Sequence, residues 1–136
     1  MLNGLHNYKG DKMLQVHVKN FGQVSILCLQ GRIVNGNTVA LRTAADSQSE
    51  AKTLILDLTE VSTIDAAGLG VMLELYRQTK SRGASLRLMN PNQFVDKVLQ
   101  ITRLNTVFER TSAEQLMSDK SLARTASWSQ PAAYAA

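Results

Sequence analysis

Of its 136 residues the chain spends one on cysteine, Cys28, and two on histidine, His6 and His17. A single thiol excludes an internal disulfide framework and a cysteine-built zinc site, and two histidines are too few for a histidine-rich metal centre. Aromatic residues make up only 5%, so the core is expected to be aliphatic. No apolar run approaches the roughly 20 residues needed to span a bilayer. The N-terminus lacks the basic-then-apolar layout of a secretion signal. Neither a GxxxxGK(S/T) loop nor a GxGxxG pattern occurs, so no nucleotide is expected, and no other cofactor or metal. These absences predict a cytoplasmic domain with a reduced thiol and no membrane insertion.

What is present is a moderately apolar, basic chain. Hydrophobic residues make up 44%, charged residues 19%, and the formal charge is +4. A basic chain raises nucleic acid as a partner. The charge is divided, however. Residues 13–117 carry eleven basic and nine acidic side chains, and the remaining excess lies in the ends. The densest basic group, Arg77, Lys80, Arg82 and Arg87, has no interleaved aromatic beyond Tyr76 and reads as a solvated helix end. That is too sparse for a nucleic-acid surface.

Residues 1–12 show no periodicity and read as a flexible lead. Residues 118–136, small and polar with isolated Trp128 and Tyr134, read as a disordered tail. Between them lies one domain, 13–117. Leu14, Val16 and Val18 alternate with Gln15, His17 and Lys19, predicting a strand; Phe21-Gly22 turns the chain into a second, mostly buried strand, Val24 to Leu29, closing at Gly31. Residues 36–50 are weakly helical, with the alanines and Val39 as a thin apolar stripe. Thr53 to Leu58 reads as a central strand buried on both faces. Leu69, Met72, Leu73 and Tyr76 fall at i, i+3, i+4 and i+7 and mark a helix, with Gly83 at its C-terminal cap. Leu86 and Leu88 belong to a further strand. Asn90, Pro91 and Gln93 read as N-cap, N1 and N3 of a helix that turns Val95, Val98 and Leu99 inward. Val107-Phe108 is a short strand, and Ala113, Leu116 and Met117 a last short helix. The predicted order is β-β-α-β-α-β-α-(β)-α: an α/β fold with a mixed four- to five-stranded sheet packed by about four helices.

The segment between Leu56 and Gly70 is the most informative. A strand ends in Asp57-Leu58, residues 59–64 read as a short loop, and Asp65 opens a helix as its N-cap. Asp57 is expected to order the loop. Gly68 and Gly70 each cost a helix on the order of 1 kcal/mol relative to Ala. Close backbone approach, by a neighbouring strand or by a partner protein, offsets such a cost. Cys28 in an apolar strand reads as a small core residue, with no His or Lys expected nearby to activate it. His17 reads as a surface or edge residue. No carboxylate pair or nucleophile–base arrangement emerges, so the chain is not expected to be an enzyme.

The run DLTEVSTIDAAGLGVML resembles the signature of the STAS domain (sulfate transporter and anti-sigma factor antagonist), and the element order over about residues 13–117 is that family's order. The resemblance implies a bacterial signalling protein of the anti-sigma factor antagonist (anti-anti-sigma factor) kind, regulating transcription by binding an anti-sigma factor of the serine kinase type. It places the contact surface at Asp65, Ala66, Ala67, Gly68, Leu69 and Gly70. In that family the kinase phosphorylates a Ser or Thr directly after the motif's Asp, which abolishes binding. Here that position is Ala66, followed by Ala67, and neither has a hydroxyl. Phosphate acts by adding about −1.5 to −2 charges to a binding surface, so the usual switch is expected not to operate. Ser62 and Thr63 precede Asp65 and are not expected to replace it. The alternative is a non-switching subunit of a transporter ATPase complex or a signalling scaffold. A homo-oligomer is left open.

Overall fold

The computed structural model describes residues 13–118; the expected lead over 1–12 and all but Ser118 of the expected tail over 118–136 lie outside the described residues. Ten elements follow one another: β1 Gln15–Phe21, β2 Val24–Ile33, α1 Val39–Ser47, β3 Thr53–Ile64, α2 Ala66–Ser81, β4 Ser85–Met89, α3 Gln93–Ile101, a 3-10 turn Leu104–Thr106, β5 Glu109–Thr111 and α4 Ala113–Ser118. The five strands form one sheet in the order β1-β2-β3-β4-β5, with β1 antiparallel to β2 and all other neighbours parallel. This is the expected mixed sheet.

Side chains alternate across the sheet and divide the core in two. Leu27, Leu29, Leu54, Leu56, Leu86 and Leu88 face one way and pack with Leu41 of α1, Leu69 and Met72 of α2, and Val95 and Leu99 of α3. Val24, Ile26, Ile55 and Met89 face the other way and meet Leu116 of α4. The core is aliphatic as expected; Phe108 is its aromatic member, edge-on to Tyr76 with ring centroids 5.7 Å apart.

Several expectations need correction. The largest concerns residues 59–64, which are not a loop but the second half of β3. They stay paired with β2 to Ile33↔Ile64 through two register shifts, each inserting one extra residue into β3. Leu58, Val61 and Ile64 are buried at a spacing of three. A bulge breaks period two, and with it the alternation by which a strand is read. β2 likewise runs past Gly31 to Ile33. In α1 the buried anchors are Leu41 and Ala45, whereas Val39 is exposed. The buried face of α2 is centred on Gly68, Leu69, Val71, Met72, Leu75 and Thr79, with Leu73 and Tyr76 half-buried at its side. Gly83 follows the C-cap Arg82 at φ 78°, closing α2 as a glycine does. The N-cap of α3 is Asn92, whose side chain accepts from Val95 N at 2.7 Å, and not Asn90, which adopts φ 57°. The last strand begins at Glu109, after Phe108, not at Val107. The side chain of Met117 lies outside the described residues.

Candidate functional site

Asp65 is where β3, α2 and the β2–α1 connection meet. Its backbone is extended, and its Oδ1 accepts from Gly68 N at 2.9 Å, the capping bond expected from the sequence. Its Oδ2 does something the sequence did not announce: it accepts from Asn35 N at 3.0 Å, across thirty positions. One carboxylate thus fastens the β2–α1 loop to the first turn of α2. The backbone N–H groups of Asn35 and then Gly68 stabilise the charged form and lower the Asp65 pKa below the ordinary carboxylate range.

The loop is fastened again at its far end. Asn37 Oδ1 accepts from Leu14 N at 3.0 Å, and Asn37 Nδ2 donates to Arg32 O at 2.7 Å. Exposed Arg42 and Glu74 join α1 to α2 at 2.7 Å, a surface pair worth well under about 1 kcal/mol. On the other flank, Asn92 Nδ2 donates to Val61 O at 2.8 Å and Asn90 Nδ2 to Thr59 Oγ1 at 3.1 Å, so the start of α3 is tied to the bulged half of β3. Asn35, Asn37, Asn90 and Asn92 order this end of the sheet, and sequence reasoning missed the long-range bonds they take part in. Asn is a common turn residue, so identity alone gave no signal.

The six residues expected to form the contact surface divide. Ala66 and Gly70 are exposed, and Asp65 and Ala67 are half-buried; Gly68 and Leu69 are buried and support the surface from beneath. Gly68 has a clear reason to be glycine: a Cβ there would lie 2.0 Å from Ile33 O. Gly70 has none among the described residues, since a Cβ there would meet none of them within 4 Å.

The remaining polar candidates have structural roles. Thr59 N and Oγ1 both donate to Asp57 Oδ1, at 3.0 and 2.6 Å, so Asp57 orders the first bulge of a strand rather than a loop. Ser62 is the extra residue of the second bulge and is exposed, its Oγ 3.5 Å from Gly31 O. Thr63 is half-buried and paired with Arg32. Cys28 is partly buried in the smaller core cluster. The expectation that no His or Lys lies near it is wrong: the hairpin register sets His17 directly opposite, and Lys19 lowers its pKa. Burial outweighs that effect, and with Asp57 it raises the thiol pKa, the opposite of the activation a nucleophile needs. His17 is exposed on β1. In the basic group, Arg82 donates to Ala51 O at 2.7 Å, Lys80 lies 5.5 Å from the Tyr76 ring centroid, and Arg87 is 3.4 Å from Glu109. Among the described residues no helix is long and apolar enough to cross a membrane.

Known proteins share this fold. The family model described as the STAS domain matches residues 15–116. The anti-sigma-B factor antagonist of Listeria monocytogenes is 32% identical over 69 residues, 51% of this chain and 60% of that protein. The chain spans 48% to 60% of the length of the curated relatives it matches. Among solved structures, a Thermotoga maritima protein superposes with a TM-score of 0.69 at 23% identity, covering 75% of this chain and 91% of that one. The anti-sigma factor antagonist SpoIIAA, a Bacillus cell fate determinant, superposes in its unphosphorylated form with a TM-score of 0.63 at 19% identity, covering 74% and 90%. At such identities the structural likeness is one of fold.

Proposed function

The chain belongs to the STAS domain family, and on that premise we propose that it is an anti-sigma factor antagonist-like regulator, acting by binding rather than catalysis. Its partner is an anti-sigma factor of the serine kinase type. The contact surface is the exposed side of the first two turns of α2, formed by Asp65, Ala66, Ala67 and Gly70 and supported by buried Gly68 and Leu69. The single observation that carries this reading is Gly70. It sits on an exposed helix face with open space around its missing side chain, where a glycine only weakens the helix. Close approach of a second protein accounts for it. The likeness to the Listeria anti-sigma-B factor antagonist supports the class of partner.

Regulation differs from the family's pattern. Ala66 is exposed at the position where the resemblance places the phosphorylated residue, and it has no oxygen to accept phosphate. Binding is therefore not reversed by the kinase at this position. Ser62 and Thr63 lie on β3, before the cap, and do not substitute for it.

The test is a binding measurement with a purified anti-sigma factor kinase from the same genome, with and without ATP. Stable binding in both conditions is expected; phosphorylation followed by release defeats the reading. Ala66→Glu places a negative charge on the surface while leaving the fold alone, because an acidic side chain in the first turn suits the helix dipole. Affinity should fall by about tenfold or more with melting nearly unchanged. Unaltered affinity places the interface elsewhere, and a transporter ATPase as the bound partner favours the alternative reading.

A further inference from the structure

The sheet has two edges, and they are guarded unequally. β5 is three residues long and presents exposed Glu109 and Arg110, so it offers little backbone to an incoming strand. β1 is seven residues long, contains no proline and carries one formal charge, Lys19. It pairs with β2 without a bulge, from Gln15↔Gln30 to Phe21↔Val24. Among the described residues no strand lies on its outer side. Of the usual devices that blunt an edge, β1 carries a single lysine, Lys19.

The hairpin decides which groups face outward. Phe21 and Val24 flank a two-residue turn whose first residue, Gly22, has φ 66°, as a primed turn with glycine at that position requires. The residues flanking such a turn form a hydrogen-bonded pair, and the ladder alternates from there. Phe21, Lys19, His17 and Gln15 therefore direct their N–H and C=O groups toward β2, and Val16, Val18 and Asn20 direct theirs outward. This outward set is its own complement. A two-fold axis at Val18 opposes Val16 to Asn20 of a second copy and Val18 to itself, giving about six backbone hydrogen bonds. The side chains agree: Val18, 38% exposed, meets Val18, and Lys19 meets His17 rather than another lysine.

We infer that two copies of the chain associate edge to edge through β1, antiparallel and two-fold about Val18, joining two five-stranded sheets into one. The isologous match favours a second copy over a foreign strand. The pairing buries few side chains, so the association is weak and depends on concentration.

Sedimentation velocity on the full chain from about 10 µM to about 1 mM should show a shift from monomer to dimer. Val18→Lys and Val18→Glu should each remain monomeric over that range. Their equimolar mixture should recover the dimer, because the axis sets position 18 against itself and Lys then faces Glu. If a variant fails to fold, amide exchange on the unaltered chain decides: the N–H groups of Val16, Val18 and Asn20 should slow only at high concentration. A chain still monomeric at about 1 mM, single variants that dimerise normally, a mixture no better than its components, or outward amides whose exchange ignores concentration overturns the pairing.

Discussion

The inner and outer sides of the first two turns of α2 are built from the same residue type under opposite constraints. Gly68 faces inward, where the end of β2 passes so close that a Cβ would lie 2.0 Å from Ile33 O. Gly70 faces outward, where a Cβ would touch none of the described residues. On the inner side glycine is demanded by the fold, because the carbonyl that blocks it is backbone in a paired strand and has nowhere to go. On the outer side the fold gains nothing from glycine and the helix loses by it. A residue that stability disfavours and packing does not require is where a binding function is to be sought.

The sharpest way to test this contrast is at the inner position. Gly68→Ala should destabilise by roughly 3 kcal/mol or more, since a buried overlap with strand backbone has no flexible side chain to relax it. Urea unfolding measures this, and a loss under about 1 kcal/mol would mean that α2 simply slides away from β2. Asp65→Ala comes next. It removes the cap of α2 and the anchor of the Asn35 loop, and a cap alone is worth about 1 kcal/mol. Its pH dependence has a definite sign. The folded-state pKa of Asp65 is depressed, so its contribution is present above the unfolded carboxylate value of about 3.9 and is lost as pH falls through the lower folded value. Stability of the chain and of Asp65→Ala should therefore converge below about pH 4. A gap that persists in acid would assign the effect to packing rather than to the carboxylate.

Much of the fold was legible because local periodicity carried it. The hairpin follows from alternation around Phe21-Gly22, α2 from its apolar stripe, and Asp65 as a cap from its place between an apolar strand and that stripe. The largest failures share a cause. Wherever a bond spans some thirty positions, nothing local records it. Two extra residues in β3 turned the strand signal of Leu58, Val61 and Ile64 into a spacing of three, which reads as a loop. Asn92 rather than Asn90 caps α3: its Oδ1 accepts from Val95 N while its Nδ2 reaches Val61 O, and Asn90 sits at φ 57° outside the helix. The two glycines were equally expected from sequence to relieve a close approach, and only the position of Ile33 O tells them apart.

The smallest expected effect bears most directly on function. Gly70→Ala adds a methyl group in open space on an exposed helix face, so it should stabilise the chain by about 0.5 to 1 kcal/mol through the backbone entropy that glycine forfeits. Thermal unfolding detects a gain of that size as a rise of about 4 °C in a domain of this length. A loss of stability would mean that the outer face is constrained within the chain after all. Gly70→Leu carries the same helix benefit and adds bulk, so it separates the two sides of the contrast. If a partner helix or strand lies against this face, the leucine variant should melt higher and bind worse. A variant that melts higher and binds equally well would show that the glycine serves neither fold nor partner. Opposed signs of stability and affinity at this one residue, rather than the size of either, would identify the outer face as a surface kept bare for contact.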